Sequence, residues 1–154
     1  MKNFKIPNYK YPLFKIYCPQ NVGKKIEQAM KDGNVTEGKF SEQFEKKFAK
    51  FIDINKNRCV LVNSGTSALT LAYRLIDLKK NDEVISTPMT CPATNEPLFN
   101  ANVKTKFADI DKNTGNINLD SVKKLINKKT KAIVVVHWAG QPVDLIKLKN
   151  IIGK

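Results

Sequence analysis

Asn63, Ser64, Gly65, Thr66 and Ser67 are the residues of this sequence best equipped to hold an anion. Before them stands Cys59–Val62, an apolar, β-favouring run of strand length. After them Leu69, Leu71, Ala72 and Leu75 fall largely at helical spacing. The pattern predicts strand, turn and helix. In such a turn Gly65 supplies either a positive φ or room for close backbone approach, and Thr66 or Ser67 can cap the helix. A strand that feeds a helix through Gly-Thr-Ser leaves free N–H groups and two hydroxyls facing one point. That arrangement suits phosphate. The alternative is an ordinary capped turn, and the surrounding chain decides between the two.

The elements that must position this turn follow a βαβα rhythm. Strands are expected at Cys59–Val62, Glu83–Thr87, Lys104–Ala108 and Lys131–His137. Helices are expected from Ser67 to Ile76, from Pro92 to about Asn102, from Leu119 to Ile126 and from Asp144 to Ile152. Alternation of this kind predicts an α/β fold, a mostly parallel sheet with helices on both faces. Ala132–Val136 is apolar at every position, which predicts a strand deep in the sheet and covered on both sides. Ligands of open α/β sheets gather at the carboxyl ends of the strands. Those ends are Asn63–Thr66, Thr87–Thr90, Ala108-Asp109 and His137-Trp138, so polar groups from several loops converge on one rim.

Upstream, residues 1–18 read as an extended arm carrying Phe4, Tyr9, Tyr11, Phe14 and Tyr17, rings that pack on something else. Residues 19–154 carry the regular elements. Val22–Met30 has helix spacing with Gly33 placed to stop it. Ser41 is positioned to cap a second helix whose Phe44, Phe48 and Phe51 or Ile52 form an apolar stripe, read as core.

Composition narrows the function. With 154 residues and 42% hydrophobic content the chain can bury a core. The net charge is +13, but only Arg58 and Arg74 are arginine among 27 basic residues, and the lysines are dispersed. Nucleic-acid proteins cluster their charge and favour arginine, so a nucleic-acid partner is not expected. Cys18, Cys59 and Cys91 are far apart with no C-x-x-C pair, which argues against a disulfide framework or a zinc site. The N-terminus has no signal-peptide core and no run approaches a membrane span. A cytoplasmic protein is expected.

Several segments together resemble the DegT/DnrJ/StrS family of pyridoxal-phosphate-dependent sugar aminotransferases. They are Thr36-x-Gly38, Phe44-Glu45-x-x-Phe48-Ala49, Asn63–Leu69, Asp82–Ile85, Pro88–Asn95, Asp109–Asp111, Thr130–Ile133 and Val136-His137-x-x-Gly140-Gln141-Pro142-x-Asp144. The resemblance implies the large domain of fold type I, truncated after its fourth strand, with the rest of that domain and a small C-terminal domain absent. It implies pyridoxal 5′-phosphate (PLP) as cofactor, its phosphate on Gly65, Thr66 and Ser67. Cys91 and Thr94 belong to the segment that faces the pyridine ring in such enzymes. An aromatic residue usually stands at position 91, so Cys91 either packs on the ring face or is a core cysteine. Met89, Thr90 and His137 are implied pocket-lining residues, with His137 alternatively hydrogen-bonded to a loop.

By the same resemblance no catalytic residue lies in this chain, because the Schiff-base lysine follows Lys154. The implied reaction moves an amino group, from a donor such as glutamate, onto a keto sugar carried by a nucleoside diphosphate, in a homodimer. A sugar dehydratase of the same family, with histidine in place of the lysine, is the alternative. A non-catalytic remnant is another.

Overall fold

The computed structural model describes residues 16–33 and 36–153. Phe4, Tyr9, Tyr11 and Phe14 of the expected arm lie outside the described residues. The chain divides into two compact units, Met1–Leu61 and Val62–Lys154.

In the first unit, helix α1 spans Val22–Lys31 and Gly33 beyond it takes φ 71°, the left-handed conformation that ends helices. Helix α2 spans Lys39–Phe51. It begins two residues before Ser41. Gly38 is its extended N-cap, and Glu42 N–H donates to the Gly38 carbonyl (3.1 Å), which leaves Ser41 inside the first turn. Phe44 and Phe48 stack at 5.7 Å between centroids, yet they are 49% and 42% exposed. The expected core stripe is therefore an open face, because no described element of this unit covers it; only Ala49 of α2 is buried.

Cys59–Val62 is not a strand. Cys59 has extended backbone (φ −122°, ψ 125°), but the run finds no ladder partner among the described residues. The Leu61 N–H instead donates to Glu45 Oε1 at 2.7 Å. Strand propensity without a neighbouring strand gives only an extended segment.

The second unit holds helix α3 (Gly65–Leu75), strand β1 (Glu83–Ser86), helix α4 (Pro92–Asn100), strand β2 (Lys104–Phe107), helix α5 (Leu119–Leu125), strand β3 (Thr130–Ile133) and helix α6 (Leu145–Ile152). The three strands form a parallel sheet in the order β2-β1-β3, with Ile85 paired to Lys106 on one side and Ile133 on the other. All four residues of β1 are buried, as befits a central parallel strand. Its side chains alternate. Val84 joins Tyr73, Leu98 and Val103 in a core on the α3–α4 side, while Ile85 joins Ala108, Val122, Val143 and Leu148 on the α5–α6 side. Each large apolar side chain so buried contributes about 1.5–3 kcal/mol.

The apolar run Ala132–Val136 is half-buried, not covered throughout, because β3 is the edge of this sheet. Its ladder ends early, although Val134 N–H still donates to the Ile85 carbonyl at 2.8 Å. At the foot of β1, buried Glu83 receives Lys106 Nζ at 2.6 Å, Lys104 Nζ at 3.5 Å and Asn127 Nδ2 at 2.6 Å. The Lys106 hydrogen bond foremost, then Asn127, lowers its carboxyl from an ordinary 4.5 to about 2. One carboxylate thus ties β1 to β2 and to the turn before β3. No described helix is long and apolar enough to cross a membrane.

Candidate functional site

The N-terminus of α3 is built by Ser64. Its backbone is extended, and its Oγ accepts the Ser67 N–H at 3.1 Å, so Ser64 is the cap in place of Thr66 or Ser67. Ser67 Oγ–H donates to Asn63 Oδ1 at 2.7 Å and lies 2.9 Å from Ser64 Oγ. With its single proton committed to Asn63, Ser67 accepts from Ser64. Ser67 therefore braces the turn and has no proton left to offer a ligand in this arrangement.

That bracing leaves a defined set of free donors. Gly65 N–H and Thr66 N–H have no partner among the described residues, and neither has the Thr66 hydroxyl. They stand at the positive end of an eleven-residue helix. Gly65 does not have positive φ. A Cβ built on it would meet nothing within 4 Å. Neither backbone conformation nor internal packing calls for glycine there, so of the two expected reasons only close approach from outside remains. Two amides, a hydroxyl and open space at a helix N-terminus fit a phosphate group.

The second segment opens α4. Cys91 is the extended N-cap residue and Pro92 occupies the first turn, as its fixed φ permits. Cys91 is exposed and makes no part of the described core. Thr90 Oγ1 and Thr94 Oγ1 share a hydrogen bond at 2.9 Å, and Met89 N–H donates to Thr87 Oγ1 at 3.2 Å. Thr90 and Thr94 are thus brought together. Met89 lies exposed on the same loop.

The expected strand Lys131–His137 stops at Ile133, so His137 lies four residues beyond β3, and its Nδ1 accepts the Val143 N–H at 3.0 Å. Val143 belongs to the α5–α6 core, so the imidazole serves the loop into α6 and does not join the α3–α4 side. Buried Asn116 holds the same loop, accepting Trp138 N–H (2.9 Å) and donating to the Gln141 carbonyl (3.0 Å). A cleft between α3 and α4, lined by Tyr73, Arg74, Leu78, Pro97 and Ala101 among others, lies along the C-terminal half of α3, away from Gly65. Among the described residues no group of His, Cys, Asp and Glu could hold a metal ion.

Sequence reasoning missed Ser64 as the cap, and it missed the buried polar residues Asn95 and Tyr73. Ser64 was findable from its spacing to Ser67, whereas a single buried Asn or Tyr leaves no periodic signal.

Residues 19–154 match the DegT/DnrJ/EryC1/StrS aminotransferase family. The chain belongs to that family. It is 36% identical over 145 residues to the UDP-4-amino-4,6-dideoxy-N-acetyl-beta-L-altrosamine transaminase of Campylobacter jejuni, covering 90% of this chain and 38% of that protein. The solved sugar aminotransferase CalS13 of Micromonospora echinospora superposes with TM-score 0.84 at 34% identity, over 92% of this chain and 38% of the other. The E. coli GDP-4-keto-6-deoxy-D-mannose-3-dehydratase, solved with bound hydrated PLP, superposes with TM-score 0.83 at 32% identity, again over 92% and 38%. PLP is the cofactor of this family. The three-stranded parallel sheet with its flanking helices is part of a fold type I domain. The chain spans little more than a third of the length of these relatives.

Proposed function

We propose that the full-length protein is a PLP-dependent aminotransferase. It transfers an amino group, from glutamate, to a keto sugar carried on a nucleoside diphosphate, for cell-surface polysaccharide or deoxyamino-sugar biosynthesis. The observation that carries this reading is the pair of free amides and the free hydroxyl at Gly65 and Thr66, beside a glycine with no internal reason to be one. In this reading those groups hold the cofactor phosphate, with Ser67 bracing the turn. Cys91 and Thr94 lie toward the ring, and Met89 and Thr90 line the substrate side. His137 holds the loop into α6 and is given no role at the cofactor in this reading. The cofactor supplies an electron sink for the substrate carbon. In this reading the lysine and the carboxylate that such chemistry needs belong to the part of these relatives that the chain does not span. The enzyme works as a cytoplasmic homodimer.

The test is Thr66→Val in the full-length protein, which deletes one hydroxyl at nearly constant shape. A hydrogen bond to a charged group is worth about 1.5–3 kcal/mol, so PLP affinity falls roughly tenfold or more while the melt is little changed. Unchanged affinity in a spectroscopic titration overturns the phosphate assignment. Incubation with glutamate and a keto-sugar nucleotide then reads the reaction by product mass, an amino sugar being expected.

The likeness to the E. coli dehydratase favours one second reading, a sugar dehydratase on the same scaffold. Its product has lost a hydroxyl group from a ring carbon and carries no new nitrogen. It also requires histidine where the aminotransferase has lysine.

A further inference from the structure

Beneath Pro88–Thr94 lies a polar network where apolar packing would suffice. Ser86, fully buried at the end of β1, donates its Oγ–H to Asn95 Oδ1 at 2.6 Å. Asn95, on α4 and 7% exposed, donates Nδ2 to the Thr87 carbonyl at 3.1 Å. Thr94, the residue before Asn95, bonds Thr90 through its hydroxyl, and its carbonyl accepts the Tyr73 hydroxyl of α3 at 3.1 Å. Tyr73 is itself buried, and burial raises its phenol pKa, so it stays a donor. Buried hydrogen bonds return little more than the desolvation they cost. They do fix direction. An apolar α4–β1 contact tolerates sliding, whereas Ser86, Asn95 and Thr87 are satisfied together in only one register.

We infer that Asn95 is a positioning residue. By gripping the Ser86 hydroxyl and the Thr87 carbonyl it sets where Thr90, Cys91 and Thr94 stand, and the Tyr73 hydroxyl locks that segment to α3, the helix that carries Gly65 and Thr66. The inference rests on the reading above, that these two segments face one cofactor, and it adds the device that holds them in mutual register.

The test compares the unsubstituted full-length protein with the S86A/N95L double variant, which replaces the network by apolar packing, and with Tyr73→Phe. PLP affinity is titrated at a temperature where circular dichroism shows each variant folded. The Cys91 thiol modification rate is measured without PLP, in a background where every other cysteine is serine. The double variant is expected to lose PLP affinity by at least about tenfold, as outer-shell partners of ligand groups do. Its Cys91 rate is expected to change several-fold. A folded double variant with unaltered affinity and rate overturns the inference. If it does not fold, Tyr73→Phe decides: weakened PLP binding supports the lock and unaltered binding overturns it. An unsubstituted protein that binds no PLP sinks the proposed function, and the thiol rate alone then decides whether Asn95 sets the segment.

Discussion

Cys91 and Glu83 show how a residue's surroundings set what it can do. Cys91 is exposed at a helix N-cap, so a larger side chain meets no core wall. Cys91→Phe is expected to change stability by no more than about 0.5 kcal/mol, as at other open surface positions. If the position faces the pyridine ring, stacking tightens PLP binding. A melting temperature that falls, and that added PLP does not restore, would show overpacking instead. Glu83 gives a pH signature. Its carboxyl is lowered to about 2, first by the Lys106 hydrogen bond, so the folded state favours the ionised form. The stabilisation is complete above the ordinary value of 4.5 and drains away as pH falls from there through about 2. Glu83→Gln is therefore destabilising at pH 7, and urea melts across pH should show its deficit against the parent shrinking over that window. A deficit independent of pH would locate the cost in packing.

At the scale of elements, helix ends and turns carry the site. Ser64 satisfies one amide of α3 and leaves Gly65 and Thr66 open. Ser64→Ala should cost about 0.5–2 kcal/mol, read from denaturant melts, because the Ser67 amide loses its acceptor. A cost near zero would mean that solvent replaces the cap. The loop from His137 into α6 depends on a close approach. Gly115 sits at φ 71°, and a Cβ there would stand 2.5 Å from Trp138 Cδ1. Gly115→Ala combines left-handed strain with overpacking against an indole, each worth about 1–3 kcal/mol. A lowered melting point is expected, with the tryptophan emission shifting toward that of a solvated ring; an unshifted emission would mean that Trp138 keeps its seat.

At the scale of the whole chain, apolar surface is left open. β3 ends the sheet with its outer edge unpaired among the described residues, and Ile146 on α6 is 78% exposed. Val60, in the run that found no ladder partner, is 64% exposed. Edges and faces of this kind template association. The net charge of +13 opposes it. The Debye length shrinks from about 30 Å at 0.01 M salt to about 8 Å at 0.15 M, so repulsion between copies weakens as salt rises. Residues 1–154 expressed alone should accordingly self-associate increasingly with salt, as read by light scattering. A monomer at every ionic strength, melting cooperatively, contradicts this.

The sequence by itself determined the elements that local chemistry specifies. Helix α4 starts at Pro92 because that ring suits a first turn, and the Gly-Thr-Ser turn marks an anion-ready helix start. The βαβα alternation predicts the parallel sheet, and eight family motifs in register predict the family. Tertiary structure decided what depends on neighbours. Cys59–Val62 has strand propensity, but a strand exists only when another backbone pairs with it. Phe44 and Phe48 have core spacing, yet burial needs a covering element. Ser86, Asn95 and Tyr73 became a network only when β1, α3 and α4 met, since hydrogen bonds between residues distant in sequence leave no periodic trace along the chain.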